Sequence, residues 1–271
     1  MVGHGRLRAG VRDPLFDLRD RVAVVTGGMG QLGSVYARGL VERGMRVAVF
    51  DTAPGGVPEG VRAFTVDITD REALEEAERA LEAEWGVPQL LVNNAGLDSP
   101  PDAPAEEVGP FETYPEESFE HVMDVNVKGT FLCCQTIGGA MAREGRGSIV
   151  NISSIYGLLS PVQDLYEFRR AAGETFVKPV AYSVSKSAIL NLTRYLATYW
   201  AKDGVRVNTL TLAGVWNDQP PEFLEAYSAR VPMGRMLNAE EALGAVVFLA
   251  SDASSYVTGS NVVVDGGWSA W

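Results

Sequence analysis

Arg21-Val-Ala-Val-Val-Thr-Gly-Gly-Met-Gly-Gln-Leu-Gly33 is the stretch that decides how this chain folds. Its opening five residues form a short apolar run, the pattern of a strand buried on both faces of a parallel sheet. The glycines follow at once, and an apolar-periodic segment then continues to about Arg43. Strand, glycine turn and helix in that order are what a dinucleotide-binding turn requires. Gly27, Gly30 and Gly33 permit the tight turn, close approach of a pyrophosphate and close packing of helix on strand, with the phosphates at the helix N-terminus. Met29, Gln31 and Leu32, between these glycines, are candidate cofactor contacts. Glycine clusters also serve ordinary strand-to-helix turns, so the next strand matters. Arg46–Asp51 ends in a carboxylate, placed where an acid accepts from ribose hydroxyls. The alternative for Asp51 is a loop cap, a common use of Asp in turns. A carboxylate there repels a 2'-phosphate, and no Lys or Arg stands in the turn or just after Asp51, so NAD is expected rather than NADP.

A third strand, Val61 to Val66, ends at Asp67-Ile68, and Asp70 to Trp85 shows helical periodicity with a solvated acidic face. Leu90-Leu-Val-Asn-Asn-Ala-Gly96 is a fourth strand with a polar, glycine-terminated end, suited to backbone approach by a ligand; Asn93 can equally hold a loop. Ser99 to Pro110 is a proline-rich surface loop. Pro115 to Arg143 is a long helical pattern containing Asn126, which is costly among apolar residues unless hydrogen-bonded. Gly147 to Ser154 is a fifth buried strand ending in paired hydroxyls, and Val205 to Leu212 and Asn261 to Val264 complete the set. Asn238-Ala-Glu-Glu241 is a capping-box start for a helix to Ala250. The expectation is one α/β domain built on a doubly wound parallel sheet of about seven strands.

Composition narrows the function. The 271 residues are 46% hydrophobic, enough for a full core. With 23 basic against 35 acidic residues the net charge is -12, which disfavours nucleic acid or an anionic membrane as partner and favours a small molecule. There is no apolar run of membrane-spanning length and no secretory signal near Met1, so a cytoplasmic location is expected. Cys133 and Cys134 are adjacent and fit packing better than a disulfide or metal site, and with only His4 and His121 a histidine triad is disfavoured; no metal is expected.

Tyr182-Ser-Val-Ser-Lys186 carries the chemistry. Positions i and i+4 share a helix face, so the Lys186 ammonium is expected to lower the pKa of the Tyr182 phenol and make it a proton-transfer group near neutral pH. The glycine turn, Asn-Asn-Ala-Gly96, the helical Asn126, the strand-terminal Ser154 and Tyr-x-x-x-Lys186, in this order, resemble the short-chain dehydrogenase/reductase family over about Arg19 to Trp268. The resemblance implies a Rossmann-type fold with Tyr182 as acid/base and Lys186 as its partner and a ligand of the nicotinamide ribose. It also implies that Ser154 orients the substrate oxygen and Asn126 holds a proton-relay water. Asp67 with Ile68 would read the adenine side, Asn93, Ala95 and Gly96 the nicotinamide-side ribose, and Gly214 with Val215 the nicotinamide.

Three departures stand out. Gln31 occupies the usual place of a second glycine, Ala213-Gly214 follows Leu212 where Pro-Gly is usual, and the chain between Ser154 and Tyr182 is longer than compact members carry. That insertion, about 157–179, is expected beside the substrate, and Pro220 to Arg230, within about 215–235, is either a substrate lid or a plain surface helix. Residues 1–18 are expected as a flexible leader ahead of one domain, 19–271. The implied activity interconverts a secondary alcohol and a ketone on a small polar substrate such as a sugar, amino sugar or cyclitol. The alternatives are an isomerase or dehydratase using bound NAD transiently on a sugar nucleotide, and a non-catalytic NAD-binding regulator. Apolar residues on more than one side of Ala181 to Trp200, with tryptophans at 268 and 271, predict a homo-oligomer, a dimer or tetramer.

Overall fold

A computed structural model describes residues 13–53, 56–98, 104 and 106–271. Seven parallel strands form one sheet in the order β3-β2-β1-β4-β5-β6-β7. They are β1 (Val22–Thr26), β2 (Arg46–Asp51), β3 (Val61–Thr65), β4 (Leu90–Asn93), β5 (Gly147–Ser154), β6 (Val205–Leu212) and β7 (Asn261–Val264). Their side chains alternate between two cores, as a period of two demands. Val22, Val24, Phe50, Leu91 and Ile149 face one core; Ala23, Val25, Val49, Leu90 and Val150 face the other. The order reverses between β1 and β4, and at such a switch point the connections leave in opposite directions and open a crevice at the strand C-termini.

Helices α1 (Gln31–Val41) and α2 (Arg71–Trp85) cover opposite faces of the first half of the sheet. Asp70 accepts from Glu72 N and Ala73 N, at 3.0 and 3.1 Å, and so caps α2. The helical pattern of 115–143 folds as α3 (Glu116–Met123), α4 (Thr130–Cys133) and α5 (Gly139–Glu144), joined by two wider π turns, Asp124–Gly129 and Cys134–Gly138. Such turns recur at functional positions, and the first one holds Asn126. The rest are α6 (Ile155–Leu158), α7 (Glu167–Ala171), α8 (Val180–Trp200), α9 (Pro221–Ser228) and α10 (Ala239–Ala250). In the last, Glu241 accepts from Asn238 N at 2.9 Å as part of the expected capping box.

Two expectations are corrected. The flexible leader expected over residues 1–18 reaches too far, since Leu18 is buried in the core beside α1 and Pro14–Phe16 form a short helical turn; residues 1–12 lie outside the described residues, as do 99–103 and 105 of the proline-rich loop. Reading the tryptophans at 268 and 271 as part of an interface between subunits expects both to be exposed on one chain. Trp271 is, but Trp268 is buried with its ring 4.6 Å from that of Tyr227, because the chain after β7 turns back under α9.

A polar chain threads the apolar sheet. Asn93 Nδ2 donates to Asn151 Oδ1 (2.8 Å), Asn151 Nδ2 to Thr193 Oγ1 (2.9 Å), and Thr209 Oγ1 to Thr193 Oγ1 (2.8 Å), tying β4, β5, α8 and β6 together. Asn151→Ala strands partners on both sides of it and is expected to cost about 3 kcal/mol. A lower urea midpoint with unchanged slope is the readout; an unchanged midpoint would show that the chain of bonds is not coupled to stability.

Candidate active site

At the C-terminal edge of the sheet lies a cavity of about 1550 Å³, larger than a drug-sized ligand needs. One arm is lined by Gly27, Met29, Gly30, Gln31, Leu32, Asp51, Asp67, Ile68, Ala95 and Gly96; the other holds Ser154, Tyr182, Lys186, Gly214 and Val215. The first arm fits a dinucleotide. Gly27 has φ +60°, and a Cβ there would stand 2.7 Å from Ala95 Cα. A Cβ on Gly33 would stand 2.1 Å from Gly27 O, so α1 packs on the turn only as glycine. Asn94 braces the same turn, its Nδ2 donating to Gly27 O at 3.0 Å. Asp51 accepts from Met29 N (2.9 Å) and Ala53 N (3.0 Å), so it caps its loop and also lines the cavity. Asp67 accepts from Thr69 N at 2.8 Å.

In the second arm, two serines end β5 with different partners. Ser153 Oγ donates to Lys186 O at 2.9 Å and is used in packing. Ser154 Oγ accepts from Tyr156 N at 3.2 Å and is also hydrogen-bonded with the Tyr182 phenol, which makes it the serine that faces the chemistry. Lys186 Nζ donates to Ile152 O at 3.1 Å and lies 5.7 Å from the centre of the Tyr182 ring. The expectation that Lys186 lowers the Tyr182 pKa is corrected. Burial pushes the phenol well up, the Asp98 charge adds to this, and only the Ser154 hydrogen bond pulls against it. Burial also lowers Lys186 to about 8, opposed by Asp98. Desolvation outweighs attraction because the ammonium is turned toward β5 rather than the phenol.

Three named candidates stand off the cavity wall. Gly33 is a packing contact, as above. Asn93 is buried in the polar chain across the sheet, and its neighbour Asn94 lines the cavity instead. Asn126 is also buried: its Oδ1 accepts from Leu97 N (2.7 Å), and its Nδ2 donates to Leu97 O and to Ser185 Oγ (2.9 Å each). Its amide is therefore a staple between the turn after β4 and α8, with both Nδ2 hydrogens used within the protein.

The insertion and the lid segment meet over the second arm. Tyr166, Phe168, Arg169, Glu174, Phe176 and Lys178 line it from the insertion, and Phe223 and Tyr227 from α9. Gly214 N donates to Tyr227 Oη at 2.6 Å, so the loop that departs from Pro-Gly is held by the lid helix. Gln31, the other departure, donates through Nε2 to Trp216 O at 2.7 Å and links the glycine turn to the same segment. Asp98, Asn94, Tyr156 and Tyr227 were not singled out from sequence. Only the first two carry a local signal, their place in and just after Asn-Asn-Ala-Gly.

A glycine-cradled nucleotide arm meeting a Ser-Tyr-Lys cluster defines a nicotinamide-dependent dehydrogenase site. A family model described as enoyl-(acyl carrier protein) reductase matches residues 30–269. D-threitol dehydrogenase of Mycolicibacterium smegmatis is 31% identical over 268 residues, covering 93% of this chain and 94% of its own. A short-chain dehydrogenase of Leptospira borgpetersenii, solved with bound NAD+, superposes with a TM-score of 0.84 at 31% identity, covering 98% of this chain and 99% of its own. Gluconate 5-dehydrogenase of Burkholderia cenocepacia, solved with NADP and tartrate, gives 0.82 at 26% identity, covering 95% and 98%. The chain belongs to the short-chain dehydrogenase/reductase family, and is an NAD(P)-dependent oxidoreductase acting on CH–OH groups.

Tyr227→Phe leaves Gly214 N without its partner and is expected to cost about 1–3 kcal/mol. It should also weaken NADH binding, read by fluorescence titration beside denaturant unfolding. No change in either measurement removes the latch between lid and loop.

Proposed function

We propose that the protein uses NAD to interconvert a secondary alcohol and a ketone on a small polyhydroxylated substrate, with Ser154, Tyr182 and Lys186 as its reacting group. The observation that carries this is the convergence of those side chains on one wall of the cavity whose other arm ends at Asp51. The nicotinamide supplies hydride transfer. Tyr182 moves the proton at its Oη. The raised pKa keeps the phenol protonated, the state that gives a proton to a carbonyl oxygen. The reverse direction needs positive charge at this end of the cavity, and Lys186, whose pKa is lowered by burial to about 8, is the cation on the same helix face as Tyr182. Ser154 Oγ holds the substrate oxygen beside the phenol.

NAD over NADP rests on Asp51, with Thr52, Ala53 and Asp67 beside it on the cavity wall and no Lys or Arg among the described residues lining that arm. The substrate class is supported by the threitol and gluconate relatives and by a second arm rich in hydroxyl, carboxylate and ammonium groups. A cytoplasmic setting is part of the proposal, supported by cofactor dependence and by free, buried Cys133 and Cys134. Among the described residues, no helix is long and apolar enough to cross a membrane.

With NAD and a panel of alditols and cyclitols, NADH formation is expected, and NADP should support much less. Tyr182→Phe should lower kcat about 10²–10⁴-fold while NAD still binds. A near-wild-type rate for that variant sinks the assignment, and product formation without net NADH points to the isomerase alternative.

We also propose a homo-oligomer built on α8. Tyr195 and Tyr199 stack at 6.0 Å on its outer side and are 63% and 64% exposed, an aromatic surface of the kind enriched at interfaces. Light scattering should give a dimer or tetramer at micromolar concentration; a monomer refutes it.

A further inference from the structure

The insertion spends much of its structure on one lysine. Gln163 brackets the Lys178 backbone, its Oε1 accepting from Lys178 N at 2.9 Å and its Nε2 donating to Lys178 O at 3.4 Å. Arg170 closes the loop by donating to Gln163 O (3.1 Å) and Phe176 O (3.3 Å). Thus fixed, the Lys178 side chain is only 8% exposed, lies 5.4 Å from the centre of the Tyr182 ring, and donates to Asp98 Oδ1 at 2.6 Å. The Asp98 side chain is 57% exposed, and both residues line the cavity.

Stability alone does not account for this pair. Burying an ammonium costs several kcal/mol, and a buried ion pair commonly does no better than apolar residues of the same volume. Its position beside the reacting phenol points to the ligand. Arg169 and Glu174 on the same wall are paired at 2.6 Å, so this end of the cavity holds two ion pairs. The Tyr166, Phe176 and Phe223 rings, 4.5 and 5.5 Å apart, supply flat apolar faces beside them. Carboxylate acceptor, ammonium donor and aromatic face together suit a neutral molecule with several hydroxyls.

We propose that Asp98 and Lys178 read the substrate, Asp98 accepting from and Lys178 donating to hydroxyls on carbons next to the reacting carbinol, and so set the substrate class as a neutral polyol rather than its carboxylated counterpart, an aldonate. This rests on the dehydrogenase reading above. Lys178 is already neutralised, and the exposed carboxylate of Asp98 repels an acid end group. A site built to bond hydroxyls also discriminates strongly against substrates that lack them.

The test uses Lys178→Met and Asp98→Asn in the full chain, with circular dichroism and NAD binding as checks on folding. The ratio of kcat/KM for an alditol over 2-butanol should fall at least about tenfold in both variants. Asp98→Asn should raise the aldonate-to-alditol ratio by about tenfold as Lys178 is unmasked. Separately, an alditol at high concentration should raise the Tm of the NADH-saturated wild type but not of Lys178→Met. Unchanged ratios, or no Tm shift in the wild type, overturn the proposal. If the wild type oxidises no alcohol but the Lys178-dependent Tm shift persists, the dehydrogenase reading falls and polyol recognition by the pair stands.

Discussion

Everything at the reacting end depends on how α8 is held to β5 at Lys186. Its carbonyl accepts from Ser153 Oγ at 2.9 Å, while its own Nζ donates to Ile152 O at 3.1 Å. Gly157 closes the joint, since a Cβ there would lie 2.6 Å from both Lys186 O and Ser153 Oγ. One residue is thus gripped by main chain and side chain on the same strand. Tyr182, one helical turn earlier on the same face, then has little choice but to stand beside Ser154. Chemistry placed on a strand end and a helix, rather than on loops, keeps its geometry when the loops around it change.

That rigidity is obtained against an electrostatic cost. Burial raises the Tyr182 phenol and lowers the Lys186 ammonium, so each is pushed toward its neutral form. With Lys178 as well, two ammonium nitrogens lie within 5.4 and 5.7 Å of the phenol ring centre. Asp98 sets the balance, because its charge raises both Tyr182 and Lys186.

The departures from the family pattern are linked in space. Gln31 reaches Trp216 O, Gly214 N reaches Tyr227 Oη, and the insertion packs Tyr166 against Phe223 of α9. Each unusual stretch therefore contacts the lid segment after β6. The second arm is roofed from three directions, and a change in one support bears on the others.

Much of this was legible in sequence because it is local. Continuous apolar runs specify strands buried on both faces, the glycine spacing specifies a turn that α1 can approach, and the i, i+4 spacing alone puts Tyr182 and Lys186 on one helix face. What escaped depends on which distant elements meet. Nothing in the neighbourhood of Trp268 announces that Tyr227 will cover it, and nothing near Asn126 shows that Leu97 and Ser185 will consume its amide. The long pattern of 115–143 reads as plain helix because a π turn shifts the phase by less than periodicity resolves. By itself the sequence determined the sheet, the nucleotide turn and the reacting pair, whose causes lie within a few residues. Only the tertiary structure decided that the phenol's pKa rises and that Lys178 meets Asp98 beside it, since burial and long-range pairing arise when remote segments exclude water from one another.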